Sequence, residues 1–307
     1  MQIDKARVEP LLLTVLNILD KRMILTHEEK LAKLNMEKGY IGEEQFDQLM
    51  NDYLKNDYVV LQDLLLRVKG NSVQIDSLLL TPEVVYLYEI KNYEGDYVMK
   101  SGQIHTLTSH EISNPLTQLS RTASLLRQLF QSWNVKITIE AAIVFINPSL
   151  ILYQADPGEP IIFSAQIKHH FSKISQSQLK SSGLSKRVIM LSEKLVQEHT
   201  SEVPFQKQLP QYEYDNLTKG MTCKSCGSFE MKVTQRTVGC SKCEQSVSTE
   251  EAILTHIKAF QLLFPDSKLT VTKMTDWFNG AVCRKRIRRT LVAHFERMSS
   301  SSGTYYK

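Results

Sequence analysis

The sequence predicts an α/β fold, a mixed sheet flanked by helices, with a small cysteine-bearing module and a helical tail behind it. Three observations lead there: three β-rich runs in succession between residues 58 and 91, helical periodicity on both sides of them, and two Cys-x2-Cys pairs late in the chain. At 307 residues and 42% hydrophobic content the chain exceeds one ordinary core, so two or three folded units are expected.

The first 36 residues place Leu12, Val15, Leu16 and Leu19 at helical spacing, followed by a charged run of helix formers, and predict an N-terminal helical segment. Gly39 and Gly42 then suggest a turn. Beyond it Phe46, Leu49, Met50, Tyr53 and Leu54 repeat every three or four residues, as in an amphipathic helix. The runs 58–66, 73–80 and 84–91, separated by Gly70-Asn71 and Pro82-Glu83, read as consecutive strands of a meander. Asn114-Pro115 opens a helix over 116–133 that turns Leu119, Ala123, Leu126 and Phe130 inward. A strand at 137–146 and a short one at 161–163 complete a domain spanning 37–165. Residues 166–215 form a helical segment and a linker marked by Pro204 and Pro210. The cysteine module occupies 216–248, a basic helical module 249–298, and a serine-rich tail 299–307 is expected to be disordered.

Glu89 and Lys91 stand two apart on a strand, so the pleat points both to one face, and Asp76 on the preceding strand comes within reach if the two pair. A carboxylate pair of this kind suits Mg²⁺ or Mn²⁺, hard cations that keep waters open toward a phosphate. By itself Glu-x-Lys more often marks a solvated strand face. Asp76, however, sits in the apolar run Val73-Gln74-Ile75-Asp76-Ser77-Leu78, where an unpaired charge is costly. Glu43 and Glu44 offer a further carboxylate from the upstream helix.

These residues resemble the NERD (nuclease-related domain) family, whose members are similar to the PD-(D/E)xK nucleases with their restriction-endonuclease-like sheet: Gly42-Glu43, Gln74-Ile75-Asp76, Glu89-Ile90-Lys91-Asn92, Gly95, then Asn114-Pro115 and Gln118. The resemblance covers residues 37–150. It implies that Asp76 and Glu89 ligate the catalytic metal and Lys91 serves the attacking water. It further implies that Glu43 assists metal binding, with Glu44 open as an alternative register, and that Gln118 supports the site.

Cys223, Cys226, Cys240 and Cys243 form two knuckles thirteen residues apart, a spacing suited to one tetrahedral Zn²⁺. Full thiolate coordination leaves no open position for water, so this zinc is structural. Cys283 reads as a small buried helix residue, and His110, His169 and His170 as ordinary surface histidines.

The tail has the cadence of a helix-turn-helix: 269–278, the turn Asn279-Gly280, then 283–295, with Trp277, Ile287, Leu291 and Phe295 as its core. Arg284, Lys285, Arg286, Arg288 and Arg289 give the last helix a cation density suited to phosphate contacts. A net charge of +4 is too mild to identify a polyanionic partner, so the local clustering carries that inference.

No run reaches the length of a membrane span; the nearest, 11–19, is broken by Thr14 and Asn17. With the paired cysteines this points to a cytoplasmic protein with no membrane partner. The modules together predict a metal-dependent DNA nuclease, RNA being a second polyanion the basic surface would accept. The rival is a non-catalytic DNA-binding regulator or scaffold that retains the nuclease-like fold.

Overall fold

A computed structural model describes residues 2–54, 58–108, 112–177, 185–200, 209–300 and 303–307. Pro204 and His110, singled out above, lie outside those residues. The chain divides into two compact units, residues 1–9 with 34–204 and residues 10–33 with 205–307. The N-terminal segment expected at 1–36 is therefore shared between the two units.

The elements in order are β1 (Gln2–Lys5), α1 (Leu11–Arg22), α2 (His27–Tyr53), β2 (Val59–Val68), β3 (Asn71–Leu80), β4 (Val84–Lys91), β5 (Gly95–Lys100) and β6 (Gln103–Thr106). Next come α3 (Pro115–Ser132), β7 (Thr138–Phe145), β8 (Leu150–Tyr153), β9 (Ile161–Phe163), α4 (Ile167–Ser177) and α5 (Lys186–Gln197). The remainder is β10 (Met231–Val233), β11 (Thr237–Cys240), β12 (Ser246–Ser248), α6 (Thr249–Leu263), α7 (Val271–Trp277), α8 (Arg284–His294), β13 (Arg297–Ser300) and β14 (Gly303–Tyr306).

The first unit is built on the expected mixed sheet, ordered β1-β2-β3-β4-β7-β9. β2, β3 and β4 form the antiparallel meander. β1 joins β2 in parallel, and β7 and β9 extend the sheet in parallel from β4. The sheet is buried on both faces. One side packs Leu119, Leu126 and Phe130 of α3 together with Val188, Leu191 and Leu195 of α5. The other packs Phe46 and Met50 of α2 with Ile167, Phe171 and Ile174 of α4. A second sheet, β6-β5-β8, was not anticipated by periodicity.

Where a turn was expected at Gly39 and Gly42, α2 continues unbroken. A glycine inside a helix costs about 1 kcal/mol relative to alanine, and the packing at Gly42 accounts for its presence. A Cβ there would lie 2.6 Å from Cβ of Asn92 and 3.1 Å from Cγ2 of Ile146. The missing side chain lets the helix press onto the end of β4, where Asn92 Nδ2 donates to the Lys38 carbonyl at 2.7 Å.

In the second unit, α1 supplies Val15 and Leu19 to a core with Ile253, Ile257 and Phe260 of α6, Trp277 of α7, and Ile287 and Leu291 of α8. Phe295, expected in that core, is only half-buried at its edge. The tail expected to be disordered forms a hairpin instead, β13 against β14, with 301–302 outside the described residues. Tyr306 is 4% exposed and bridges to Leu269, and this anchoring outweighs the serine-rich composition.

Candidate active site

Asp76 lies where the sheet departs from regular pairing on both of its sides. The β2–β3 register runs continuously except at position 76, because its opposite number, Asp63, leaves the ladder with φ +51°. On the other side the β3–β4 ladder ends at Ser77 opposite Tyr88, one pair short of Asp76 and Glu89. The backbone groups released by this opening find specific partners, as buried groups must. The Ile90 amide donates to Asp76 Oδ2 at 2.8 Å, and Arg7 Nη2 donates to the Asp76 carbonyl at 2.7 Å.

Asp76 is 8% exposed and Glu89 1% exposed. Lys91 Nζ donates to Glu89 Oε1 at 2.7 Å and to Gln118 Oε1 at 3.2 Å. Gln118 is placed one turn into α3, which Asn114 caps by accepting the Leu116 amide at 3.0 Å. The fold thus brings Asp76, Glu89, Lys91 and Gln118 near one another. Glu89 Oε2 remains buried without a hydrogen-bond partner.

Of the two helix carboxylates, Glu43 faces the strands, whereas Glu44 is exposed and bonded to Tyr40. Glu43 also has a partner that sequence reasoning missed. Arg7, its side chain 4% exposed, pairs with Glu43 through Nη1 and with Asp47 through Nε at 2.8 Å. No local pattern announces Arg7, because it reaches the site from the irregular stretch after β1, 36 residues before Glu43 in sequence.

The electrostatics reflect three carboxylates drawn together out of water. Burial, then the Glu89 and Glu43 charges, hold Asp76 well above the usual carboxylate range, against the opposing Ile90 amide and Lys91. Burial pushes Glu43 up to about 6 despite Arg7. Burial alone would lower Lys91, but the adjoining Glu89 and Asp76 charges prevail and keep its ammonium above the ordinary lysine value. The lysine is thus a fixed cation, and the carboxylates form a site in want of positive charge.

In the second unit the four cysteine sulfurs lie within 4.8 Å of one another, the one cluster of three or more such ligands among the described residues. Cys223 and Cys243 sulfurs are 3.5 Å apart, Cys226 and Cys240 sulfurs 3.6 Å. Four sulfurs about 2.3 Å from a tetrahedral Zn²⁺ stand about 3.8 Å from each other, so the donor set and spacing fit. The three-stranded sheet β10-β11-β12 holds the second cysteine pair at its β11–β12 turn, and the Lys242 amide donates to Cys240 Sγ at 3.4 Å.

On α8, Arg284, Lys285, Arg288 and Arg289 are exposed, while Arg286 is half-buried and donates to the Thr234 carbonyl at 2.7 Å. Cys283 is exposed at the N-cap, not buried as expected. His170 is likewise no surface histidine: it packs edge-on to Tyr86 and Tyr88, lies 2.8 Å from the Tyr88 hydroxyl, and is lowered to about 4 mainly by burial.

Residues 38–146 match the family model of the nuclease-related domain, NERD. Among solved structures, the crystal structure of protein VC1899 from Vibrio cholerae is similar at 14% identity and a TM-score of 0.28, over 50% of this chain and 36% of that one. The chain thus spans about a third of that protein. Among curated proteins none matches. No helix among the described residues is long and apolar enough to cross a membrane.

Proposed function

We propose, from the premise that residues 38–146 are a nuclease-related domain, that this chain is a metal-dependent DNA nuclease hydrolysing phosphodiester bonds. The observation that carries the reading is Glu89 Oε2, a buried acceptor with no partner beside a second buried carboxylate. A buried carboxylate oxygen left bare costs several kcal/mol unless a cation or proton satisfies it. Asp76 and Glu89 are the residues that would hold Mg²⁺ or Mn²⁺. When bound, the ion supplies a water of lowered pKa and neutralises charge growing on the phosphoryl oxygens.

The chain's own residues do the rest. Lys91, cationic and fixed between Glu89 and Gln118, directs a donor toward the attacking water or a phosphoryl oxygen. Gln118 fixes the ammonium's direction from α3. Glu43, tied to Arg7, contributes negative charge from the α2 side and strengthens the site's demand for a cation. In the second unit a structural Zn²⁺ on the four cysteines holds the ribbon, and Arg284, Lys285, Arg288 and Arg289, with Arg286 behind them, give DNA a further foothold. Free cysteines arranged for metal rather than disulfides fit a reducing, cytoplasmic setting.

Supercoiled and linear DNA incubated with the purified chain and Mg²⁺ or Mn²⁺ test this directly, beside Lys91→Ala, Glu89→Gln and an EDTA arm. Nicking that requires metal and falls by about 10²-fold or more in both variants is expected. Equal nicking by the wild type and Lys91→Ala would overturn the site assignment. DNA binding without cleavage under any metal would favour a scaffold.

A further inference from the structure

The C-terminal hairpin changes what the basic helix can do. α7 and α8 are the two helices of the expected helix-turn-helix, but β13 and β14 follow directly, and Tyr306 of β14 bridges back to Leu269 just before α7. The hairpin is thereby tied beside the helix pair. Between them lies a groove of about 530 Å³ lined by Thr270, Thr272, Arg284, Lys285, Arg288 and Arg297, with Thr304 and Tyr306 closing it. Four of those side chains are cations, and no carboxylate lines the groove.

Four like charges around one concavity repel each other, and the arrangement concentrates positive potential where an anion would seat. Nothing in the core requires it. Ile287 and Leu291 bury the opposite face of α8, whereas Arg284, Lys285, Arg288 and Arg297 are all exposed. The threonine hydroxyls add neutral donors, and Arg284 Nη2 already donates to Thr272 Oγ1 at 3.2 Å, which holds that guanidinium at the groove wall. Guanidinium forks with flanking hydroxyls are the groups that grip phosphate.

We propose that this groove, between α8 and the β13–β14 hairpin, takes a backbone phosphate segment of duplex DNA, with Arg297 as a contact supplied by the hairpin. The inference extends the nucleic-acid reading above but does not depend on cleavage. Duplex DNA is favoured because the eleven-residue α8 is about 16 Å long and presents a free outer face. Its width suits a major groove of about 12 Å, which would bring the adjoining phosphates toward the hairpin.

The test is fluorescence anisotropy of the full chain with a labelled 20-base-pair duplex and no added divalent metal, between 50 and 200 mM salt. Each phosphate contact contributes about −0.9 to the slope of log affinity on log salt. Four contacts give about a 150-fold loss of affinity over that range, and three about 40-fold. Arg297→Ala is expected to shift the chain from the first figure toward the second, and Arg297→Lys to restore the slope. Lys258→Ala, an exposed cation on α6 away from the groove, removes the same charge and is expected to leave the slope unchanged. Equal effects of Arg297→Ala and Lys258→Ala, or no effect of Arg297→Ala, would overturn the proposal. Single-stranded RNA competing as well as duplex DNA would overturn the choice of ligand. Because the measurement needs no catalysis, a chain that binds this way yet never cuts sinks the nuclease reading alone.

Discussion

Replacing Arg7 by methionine keeps the aliphatic volume and removes one charge at a position that lies before the matched residues 38–146. Arg7 holds Glu43, Asp47 and the Asp76 carbonyl together, and its side chain is 4% exposed. Removing one partner of a buried ion pair typically costs about 3–5 kcal/mol, because the remaining charge stays desolvated. Here Glu43 and Asp47 side chains are 21% and 15% exposed, so water relieves part of the strain and about 3 kcal/mol is expected. For a unit of this size that lowers Tm by about 6–12 °C. Thermal unfolding without added divalent metal measures it. The pH dependence distinguishes a charge clamp from a packing role. Glu43 has a folded pKa raised to about 6, mainly by burial, so its folded form is favoured while protonated and disfavoured as pH rises through 6. Without Arg7 that penalty grows, so the deficit of Arg7→Met should be largest above pH 7 and shrink toward pH 5. A Tm within 2 °C of wild type, or a deficit equal at pH 5 and pH 8, would refute the clamp.

Three further outcomes follow from named contacts. Gly42→Ala should be destabilised by up to about 2 kcal/mol in urea unfolding, since its Cβ would meet Asn92 at 2.6 Å and an overpacking cost of about 1–3 kcal/mol is offset by the ~1 kcal/mol gained in helix propensity; a stabilised variant contradicts the packing account. Elemental analysis should find about one zinc per chain, absent from Cys240→Ser, whose ribbon should lose protection from proteolysis; zinc retained by that variant removes the four-thiolate site. His256, 6% exposed, accepts the Thr222 amide at Nε2 and faces the Ala252 carbonyl through Nδ1, which fixes it neutral; burial lowers its pKa to about 4. Being depressed below the unfolded value near 6.5, it supports folding above that pH and withdraws about 3 kcal/mol as pH falls from 6.5 toward 4. Its ring proton resonances should therefore stay constant from pH 8 to pH 5, and a midpoint near 6.5 would contradict the assignment.

The parts of this protein legible in sequence are those whose signal is local. The β2–β3–β4 meander shows in alternating apolar runs and turn residues, the start of α3 in Asn114-Pro115, and the four-cysteine cluster in the spacing of its two pairs. What escaped detection depends on distant partners. α2 runs on through Gly42 because Asn92 lies so close there that only a glycine fits, whereas Gly39 faces open space and simply continues the helix. Arg7 acquires meaning only when β1 pairs with β2 and brings it over Glu43. The serine-rich tail folds because Tyr306 finds Leu269.

The same distinction explains why Glu-x-Lys spacing was weak evidence and the folded site is stronger. A regular antiparallel sheet would pair position 76 with both neighbours and commit every backbone group at that point to a ladder. Asp63 turning out at φ +51° and the β3–β4 ladder stopping at Ser77 free the Asp76 carbonyl for Arg7 and the Ile90 amide for the Asp76 carboxylate. The opening therefore does more than admit solvent. It anchors Asp76 through its own backbone and side chain, commits Glu89 Oε1 to Lys91, and leaves Glu89 Oε2 bare. An ordinary solvated strand face needs no such irregularity, since its charges project into water from unbroken ladders. The two departures from regular pairing converge on the carboxylates, which makes the local backbone, as much as the residue types, the reason to read this position as a cation site.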